Sequence, residues 1–273
     1  MVEKGGEREE PLPALPRIPG TGRTAFIGRP WWPVNADTYE QGGERMEGTP
    51  GVNGNRRGVI CDWGGVLTPP LLEGIRAWLC ADGIDIDHYY EVTRPYFDGS
   101  LNGDNPVHAL ERGEIDTCEF ERELAALLRS THGGPVVAEG LIDRMFRSFD
   151  PVHDMYETLH QARAGGAGTA LLSNSWGNCY PREYFDRTFD TVVISGEVGM
   201  RKPEPRIYLH TCERMGLSPE DCVFIDDLEH NVRTAEELGM TGILHTDAAA
   251  TKAELERFLT PDGAPPAPGQ KVA

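Results

Sequence analysis

Four short polar segments of this chain carry side chains that together can act on an anionic group. They read Asp62-Trp63-Gly64-Gly65-Val66-Leu67-Thr68, Ser173-Asn174, Gly199-Met200-Arg201-Lys202-Pro203-Glu204 and Asp226-Asp227. Carboxylates can attack an electrophilic centre or bind a hard cation, while ammonium, hydroxyl and amide groups bind anions. Each residue alone is most often a turn, loop or cap residue, but four such segments together favour a common site.

The polar segments stand at or just beyond the ends of short apolar runs. Five such runs cover 57–62, 168–173, 190–195, 221–226 and 241–245. Their continuous apolar character predicts strands that are buried on both faces. Helical patterns at 152–164, 204–215 and 228–238 are each followed by a glycine (Gly165, Gly216 and Gly239) suited to a left-handed helix end. This alternation predicts an α/β fold, a doubly wound, Rossmann-like parallel sheet whose ligand site lies at the carboxyl ends of the strands.

A long insertion separates the first two predicted strands. Residues 69–150 contain mainly helical patterns, including the amphipathic stretch 118–130, and we expect a small all-helical cap that acts as a lid. The core domain then comprises 56–68 and 151–260. Residues 1–55 and 261–273 are rich in glycine, proline and charge without an apolar period, which predicts a disordered leader and a flexible tail.

The composition limits the partners of this chain. A net charge of −18 disfavours nucleic acid and anionic membranes as partners, and it obliges a site for an anionic substrate to hold a metal ion or lysine. An apolar run of about 18 residues and the pattern of a signal peptide are both missing, so we expect a cytoplasmic monomer or homodimer. The six cysteines show no CxxC spacing, which fits that compartment.

The four polar segments, in this order and spacing, resemble the four motifs of the haloacid dehalogenase superfamily. The resemblance extends over about 56–248, and the strings GMRKPEPRIY and VFIDDLEHN carry most of it. Within the superfamily the sequence is similar to the branch with a helical cap after the first motif. That branch includes sugar-phosphate phosphatases and the phosphatase domain attached to soluble epoxide hydrolase. The resemblance implies a Mg²⁺-dependent phosphatase for a small-molecule phosphate monoester, such as a sugar phosphate.

The carboxylates then divide into a nucleophile and metal ligands. Asp62 attacks phosphorus and forms an aspartyl-phosphate, which divides hydrolysis into two easier steps. Asp62 and Asp227 bind Mg²⁺ together with the main-chain carbonyl of Gly64, and Asp226 supports them from behind. For Asn231, a direct functional role and a structural tie to Asp226 are equally supported.

The remaining site residues bind the phosphoryl group. Ser173 and Asn174 donate hydrogen bonds to its oxygens, and Lys202, one of only four lysines, supplies a fixed positive charge. The main-chain amides of Trp63 and Gly64, in a turn that leaves a strand, form an oxyanion nest.

Gly64 departs from the pattern of phosphatases in the superfamily. They typically carry a second aspartate there, which protonates the leaving alcohol and then activates water. General acid–base help of this kind is worth about 10²–10⁴ in rate. Without it, the proton must come from water or from a cap residue such as Asp98 or Asp104, and some members of this branch do carry Asp-x-Gly.

Three alternatives also explain the glycine. A 2-haloacid dehalogenase needs no cation, but Asp226 and Asp227 beside Asp62 would then repel one another. A phosphonoacetaldehyde hydrolase needs a cap lysine for a Schiff base, and 69–150 contains none. A non-enzymatic member that binds a phosphorylated ligand or a protein stays open. The substrate is not readable from the sequence, although six cap residues are candidates to line a pocket: Arg76, Tyr89, Tyr90, Arg94, Tyr96 and Phe97.

Overall fold

The computed structural model describes residues 56–98, 101, 105–177 and 180–260. The expectations for the leader 1–55, the tail 261–273 and Asp104 therefore fall outside the described residues. Within the described ranges, no helix is both long and apolar enough to span a membrane.

A parallel five-stranded sheet forms the centre of the fold, as predicted. Its strands are β1 (Gly58–Cys61), β2 (Gly168–Ser173), β3 (Thr191–Ile194), β4 (Cys222–Asp226) and β5 (Thr241–Leu244). The order across the sheet is β3-β2-β1-β4-β5. Every residue of β1, β2 and β4 is buried, which explains why these segments are apolar throughout. The edge strand β5 is largely exposed, and Ile243 is its one buried residue.

Helices cover both faces of the sheet. Five of the described helices lie in the insertion that follows β1: α1 (Leu71–Ala81), α2 (Ile86–Phe97), α3 (Pro106–Glu111), α4 (Thr117–Leu127) and α5 (Leu141–Phe146). The others are α6 (His153–Ala164), α7 (Phe185–Thr188), α8 (Ser195–Val198), α9 (Pro205–Met215), α10 (Glu229–Glu237) and α11 (Ala248–Leu259). One apolar cluster includes residues of α6 and α11, and a second includes residues of α9 and α10. The doubly wound α/β fold is therefore confirmed.

One of the three predicted glycine helix ends is wrong in position. Gly216 is left-handed with φ +67°, but Gly165 has φ −74°, and the following Gly166 takes φ +97° instead. The N–H of Ala167 donates to the carbonyl of Ala162, so Gly165 keeps a helical backbone and the left-handed position falls one residue later, at Gly166.

In the described part of the segment between β1 and α6, an antiparallel bridge joins Ile84 to Ser130. That bridge explains why α4 stops at Leu127, since the chain becomes extended at Leu128. The buried carboxylate of Glu121 accepts from the N–H groups of Gly140 and Ile142 at the start of α5. The boundaries of a separate cap domain at 69–150 stay a prediction.

Candidate active site

The carboxylates of the first and fourth motifs meet because their strands are neighbours. Asp62 follows β1, and its main-chain N–H donates to the carbonyl of Ile225 in β4 at 2.9 Å. Asp226 ends β4, and Asp227 follows it. One carboxylate oxygen from each of Asp62, Asp226 and Asp227 lies within 4.8 Å of the others. Three carboxylates in such a space repel one another unless positive charge is present.

Lys202 supplies part of that positive charge. Its Nζ lies 2.8 Å from Asp62 Oδ1 and 2.6 Å from Asp226 Oδ2, and the side chain is almost fully buried. Burial alone would lower the pKa of Lys202, but the carboxylates of Asp226 and Asp62 outweigh it and raise that pKa. The lysine therefore stays cationic between the two aspartates.

Asp226 has all its hydrogen-bonding capacity engaged in holding the site together. Besides Lys202, the side-chain amide of Asn231 donates to its two oxygens at 3.0 and 3.1 Å, and Leu228 N–H donates to Oδ1 at 2.9 Å. These contacts favour the supporting role predicted for Asp226. They also show that Asn231 connects α10 to β4 through Asp226, which is the structural role considered for it.

Asp227 differs from its neighbour in having one carboxylate oxygen without a partner among the described residues. That oxygen, Oδ1, is buried. Burial and the charge of Asp226 raise the pKa of Asp227 to about 6. Burial likewise raises the pKa of Asp62 to about 7 despite the opposing effect of Lys202. Carboxylate oxygens that repel one another, with one oxygen unpartnered, fit a hard cation such as Mg²⁺.

Gly65 makes the approach of Asp227 possible. It has φ +74°, and a Cβ at this position would lie only 2.3 Å from Asp227 Oδ2. Glycine alone satisfies both the left-handed backbone and the close contact. The sequence motif contains this residue, but its type gave no sign that it faces the fourth motif.

Ser173 at the end of β2, and Asn174 directly after it, support the site in ways that the sequence did not show. The side chain of Asn174 accepts from the N–H of Lys202 at 2.8 Å and donates to the carbonyl of Lys202 at 3.0 Å. Both of its polar atoms thus hold the lysine loop, and its predicted contact with substrate stays a prediction. The hydroxyl of Ser173 is buried and lies 2.9 Å from the hydroxyl of Tyr180. Tyr180 comes from an irregular segment with no motif to indicate it.

The ring of Trp63 joins the helical insertion to the core. It is buried and stacks on Phe146 of α5 at 5.3 Å, with Phe149 and Tyr180 against it edge-on. The binding of substrate by its main-chain amide stays a prediction. At Gly64, a Cβ would lie 3.1 Å from Cδ2 of Leu71. The side chain of Leu71 therefore borders the space that a side chain at position 64 would enter.

The six candidate pocket residues fall into different groups. Tyr89 and Tyr96 are buried inside the insertion, where Tyr89 packs edge-on against Trp78, so these two belong to the core of the insertion. Tyr90 is half-buried and packs edge-on against Tyr89. Arg76 and Arg94 are exposed. Phe97 is exposed and stacks on Trp176 of the core at 6.1 Å.

The sequence model of one protein family, the haloacid dehalogenase-like hydrolases, matches residues 57–239 of this chain. The chain belongs to this family. It is 37% identical over 176 residues to the sesquiterpene phosphatase astK of Aspergillus oryzae, covering 59% of this chain and 83% of that protein. It is 29% identical over 211 residues to mouse acyl-CoA dehydrogenase family member 10, covering 74% of this chain. Its identity to rat bifunctional epoxide hydrolase 2 is 40% over 100 residues, covering 34% of this chain. The chain spans only 19% of that mouse protein and 18% of the rat protein.

The fold is shared with solved members of the family. A variant of a family enzyme from Bacteroides thetaiotaomicron, in complex with magnesium and inorganic phosphate, superimposes with a TM-score of 0.52 at 23% identity. The match covers 70% of this chain and 94% of that one. The family and fold expected from the four motifs are thus confirmed.

Proposed function

We propose that this hydrolase is a Mg²⁺-dependent phosphatase that cleaves a small-molecule phosphate monoester through an aspartyl-phosphate on Asp62. The observation that carries the proposal is the pairing of Asp62 with buried Lys202, beside Asp227 with its unpartnered oxygen. The 37% identity to a relative that is described as a sesquiterpene phosphatase supports the same reaction class.

The residues of the chain take the following parts. Lys202 binds Oδ1 of Asp62, which leaves the other oxygen to attack phosphorus while the ester P–O bond breaks. The leaving oxygen departs with the bonding electrons and takes a proton from water, which gives the alcohol. Water then attacks the phosphorus of the aspartyl-phosphate, which frees inorganic phosphate and restores the carboxylate. Throughout, Asp226 and Asn174 keep Lys202 in place, from its ammonium group and its main chain respectively.

Mg²⁺ fits the donor set of Asp62, Asp227 and the main-chain carbonyl of Gly64, and when bound it supplies charge that neutralises the phosphoryl oxygens. A dehalogenase needs no cation, so the dehalogenase alternative does not explain why three carboxylates that repel one another lie together. A family member that has lost catalysis and only binds a phosphorylated ligand is distinguished from a slow phosphatase by measuring phosphate release.

The test is a phosphate-release screen over a panel of metabolites with Mg²⁺. Wild type, Asp62→Asn and the exposed control Asp154→Asn are compared after removal of contaminating phosphatases. We expect Asp62→Asn to lose at least about 10³-fold in rate, because the nucleophile is removed, while the control keeps its activity. Activity that persists in Asp62→Asn overturns the mechanism. Binding of inorganic phosphate without any turnover in wild type favours the reduced, binding member.

A further inference from the structure

The helical insertion docks on the loop that carries Lys202 through two ion pairs of opposite polarity. Glu111, the last residue of α3, accepts from Nε of Arg201 at 2.5 Å. The next residue, Arg112, donates from Nη1 to Glu204 at 3.1 Å. The two pairs bracket Lys202 on both sides, so the loop is held from the insertion immediately before and shortly after the catalytic lysine.

Glu111 also reaches the segment after β2. Its second oxygen accepts from the indole N–H of Trp176 at 3.3 Å. Two residues earlier, Asn174 binds the main chain of Lys202 through both of its side-chain polar atoms. Contacts therefore run in a closed ring from Glu111 to the lysine loop, across to the Asn174–Trp176 segment and back to Glu111.

Of the two ion pairs, that of Glu111 has the greater effect. The residue is only 7% exposed, and burial raises its pKa while Arg201 and Trp176 oppose the shift. A buried carboxylate that loses its partner is left with an uncompensated charge, which is strongly unfavourable. The side chains of Arg112 and Glu204 are 25% and 37% exposed, and such pairs contribute little.

The insertion approaches the core closely at the same point. Gly113 has φ +68°, and a Cβ there would lie 2.5 Å from the main-chain carbonyl oxygen of Gly196 in α8. Backbone contact thus seats the end of α3 on the core, and the Glu111 carboxylate lies next to the loop as a result.

We infer that Glu111 is a positioning residue, which acts through Arg201 to fix the backbone on which Lys202 stands. The insertion then contributes to the placement of charge at the site as well as covering it. This inference rests on the proposed phosphatase function for its kinetic consequence, but its structural consequence at Lys202 is measurable without turnover.

The first experiment is kinetic and uses an aryl phosphate as substrate at saturating Mg²⁺. Glu111→Gln keeps the size of the side chain but removes the charge. We expect kcat to fall by about 10- to 100-fold, as for a small misplacement of a catalytic group, with little change in the Mg²⁺ concentration for half activity. Arg201→Gln should do the same, and the double variant should be no worse than either single one. Glu114→Gln, an exposed partner of Arg112, is the matched control and should match wild type.

The second experiment observes Lys202 directly in protein labelled with [15N]lysine. A buried, paired ammonium group exchanges slowly, and its resonance is assigned from its change in Asp62→Asn. We expect that resonance to shift in Glu111→Gln and Arg201→Gln but not in Glu114→Gln. If wild type proves to have no phosphatase activity, the proposed function fails, yet this measurement still decides the positioning role. An unchanged Lys202 resonance in Glu111→Gln, or kinetic effects of the two single variants that simply add, overturns the inference.

Discussion

The two sides of Asp62 are built very differently. On one side lie Lys202 and the carboxylates of Asp226 and Asp227, with the lysine 2.8 Å from Asp62 and 2.6 Å from Asp226. The other side, in this comparison, is Gly64, two residues further along the chain, and the side chain nearest to its missing Cβ is Leu71, at 3.1 Å. The charged side is fixed before any substrate arrives, whereas the apolar side presents methyl groups.

Phosphoryl transfer has two requirements, and the two sides of Asp62 meet them unequally. Charge on the transferred oxygens must be met by groups already in position, and the charged side does this. The leaving oxygen needs a proton when it is a poor leaving group, and the apolar side has Leu71 where a donor would be expected. On the proposed mechanism, the site is therefore better suited to holding a phosphoryl group than to protonating a poor leaving group.

The strongest test of the charged side is Lys202→Met. Loss of the ammonium group leaves Asp62 and Asp226 without their shared partner, so substrate binding and transition-state stabilisation both weaken. We expect kcat to fall by about 10²–10³-fold, as for other fixed donors to developing negative charge. The measurement is steady-state turnover of an aryl phosphate, with a thermal melt to show that the variant folds. Near-native turnover in a folded variant would mean that Lys202 only balances buried charge.

Asp227→Asn and Asp226→Asn form a matched pair on the same side. Asp227 has the unpartnered oxygen, so its substitution should raise the Mg²⁺ concentration for half activity by about 10–100-fold. Asp226 is saturated by Lys202, Asn231 and Leu228, so its substitution should lower kcat with a smaller effect on Mg²⁺ dependence. Titrations of activity with MgCl₂ distinguish the two. Equal effects of both substitutions on Mg²⁺ dependence would contradict this division of roles.

Most of the charged side could be predicted from the sequence. Apolar runs mark buried parallel strands, and the carboxyl ends of such strands meet at one edge, so Asp62, Ser173 and Asp226 had to lie near one another. The pairing of Asn174 with the backbone of Lys202 could not be predicted, because it depends on the path of two loops. Glu111 and Tyr180 were missed for the same reason: their contacts join segments that are distant in sequence and carry no periodic signal.

The pH dependence of Mg²⁺ stabilisation gives a smaller effect on the same side. The pKa of Asp62 is raised to about 7 and that of Asp227 to about 6, so without metal both favour folding at low pH and lose that contribution as the pH rises through 6–7. At pH 8 both carboxylates are ionised and repel, so a cation relieves more repulsion than at pH 5, where protons compete with it. We therefore expect MgCl₂ to raise Tm more at pH 8 than at pH 5. At pH 8, a Mg²⁺ concentration of 100 times Kd should stabilise the folded protein by about 2–3 kcal/mol. An equal rise at both pH values would exclude these carboxylates as the main ligands.

The apolar side is tested by the leaving group, with the smallest expected effect. With Leu71 beside Gly64, an acidic leaving group needs less help than an alkoxide, so an aryl phosphate should be hydrolysed faster than an alkyl phosphate of similar size. Gly64→Asp should narrow that gap by about tenfold, a fraction of the 10²–10⁴ that an evolved general acid supplies.

The obstacle to that substitution is the contact with Leu71. The backbone of Gly64 lies outside the left-handed region that Gly65 occupies, so an added side chain meets the methyl groups of Leu71 and no backbone strain. Gly64→Asp combined with Leu71→Ala should therefore narrow the gap more than Gly64→Asp alone, and Leu71→Ala alone should leave the leaving-group preference unchanged. If the native enzyme shows no such preference, another group already supplies the proton. Asp98, at the end of α2, is then the first of the described residues to substitute, and Asp104 is the next candidate along the chain.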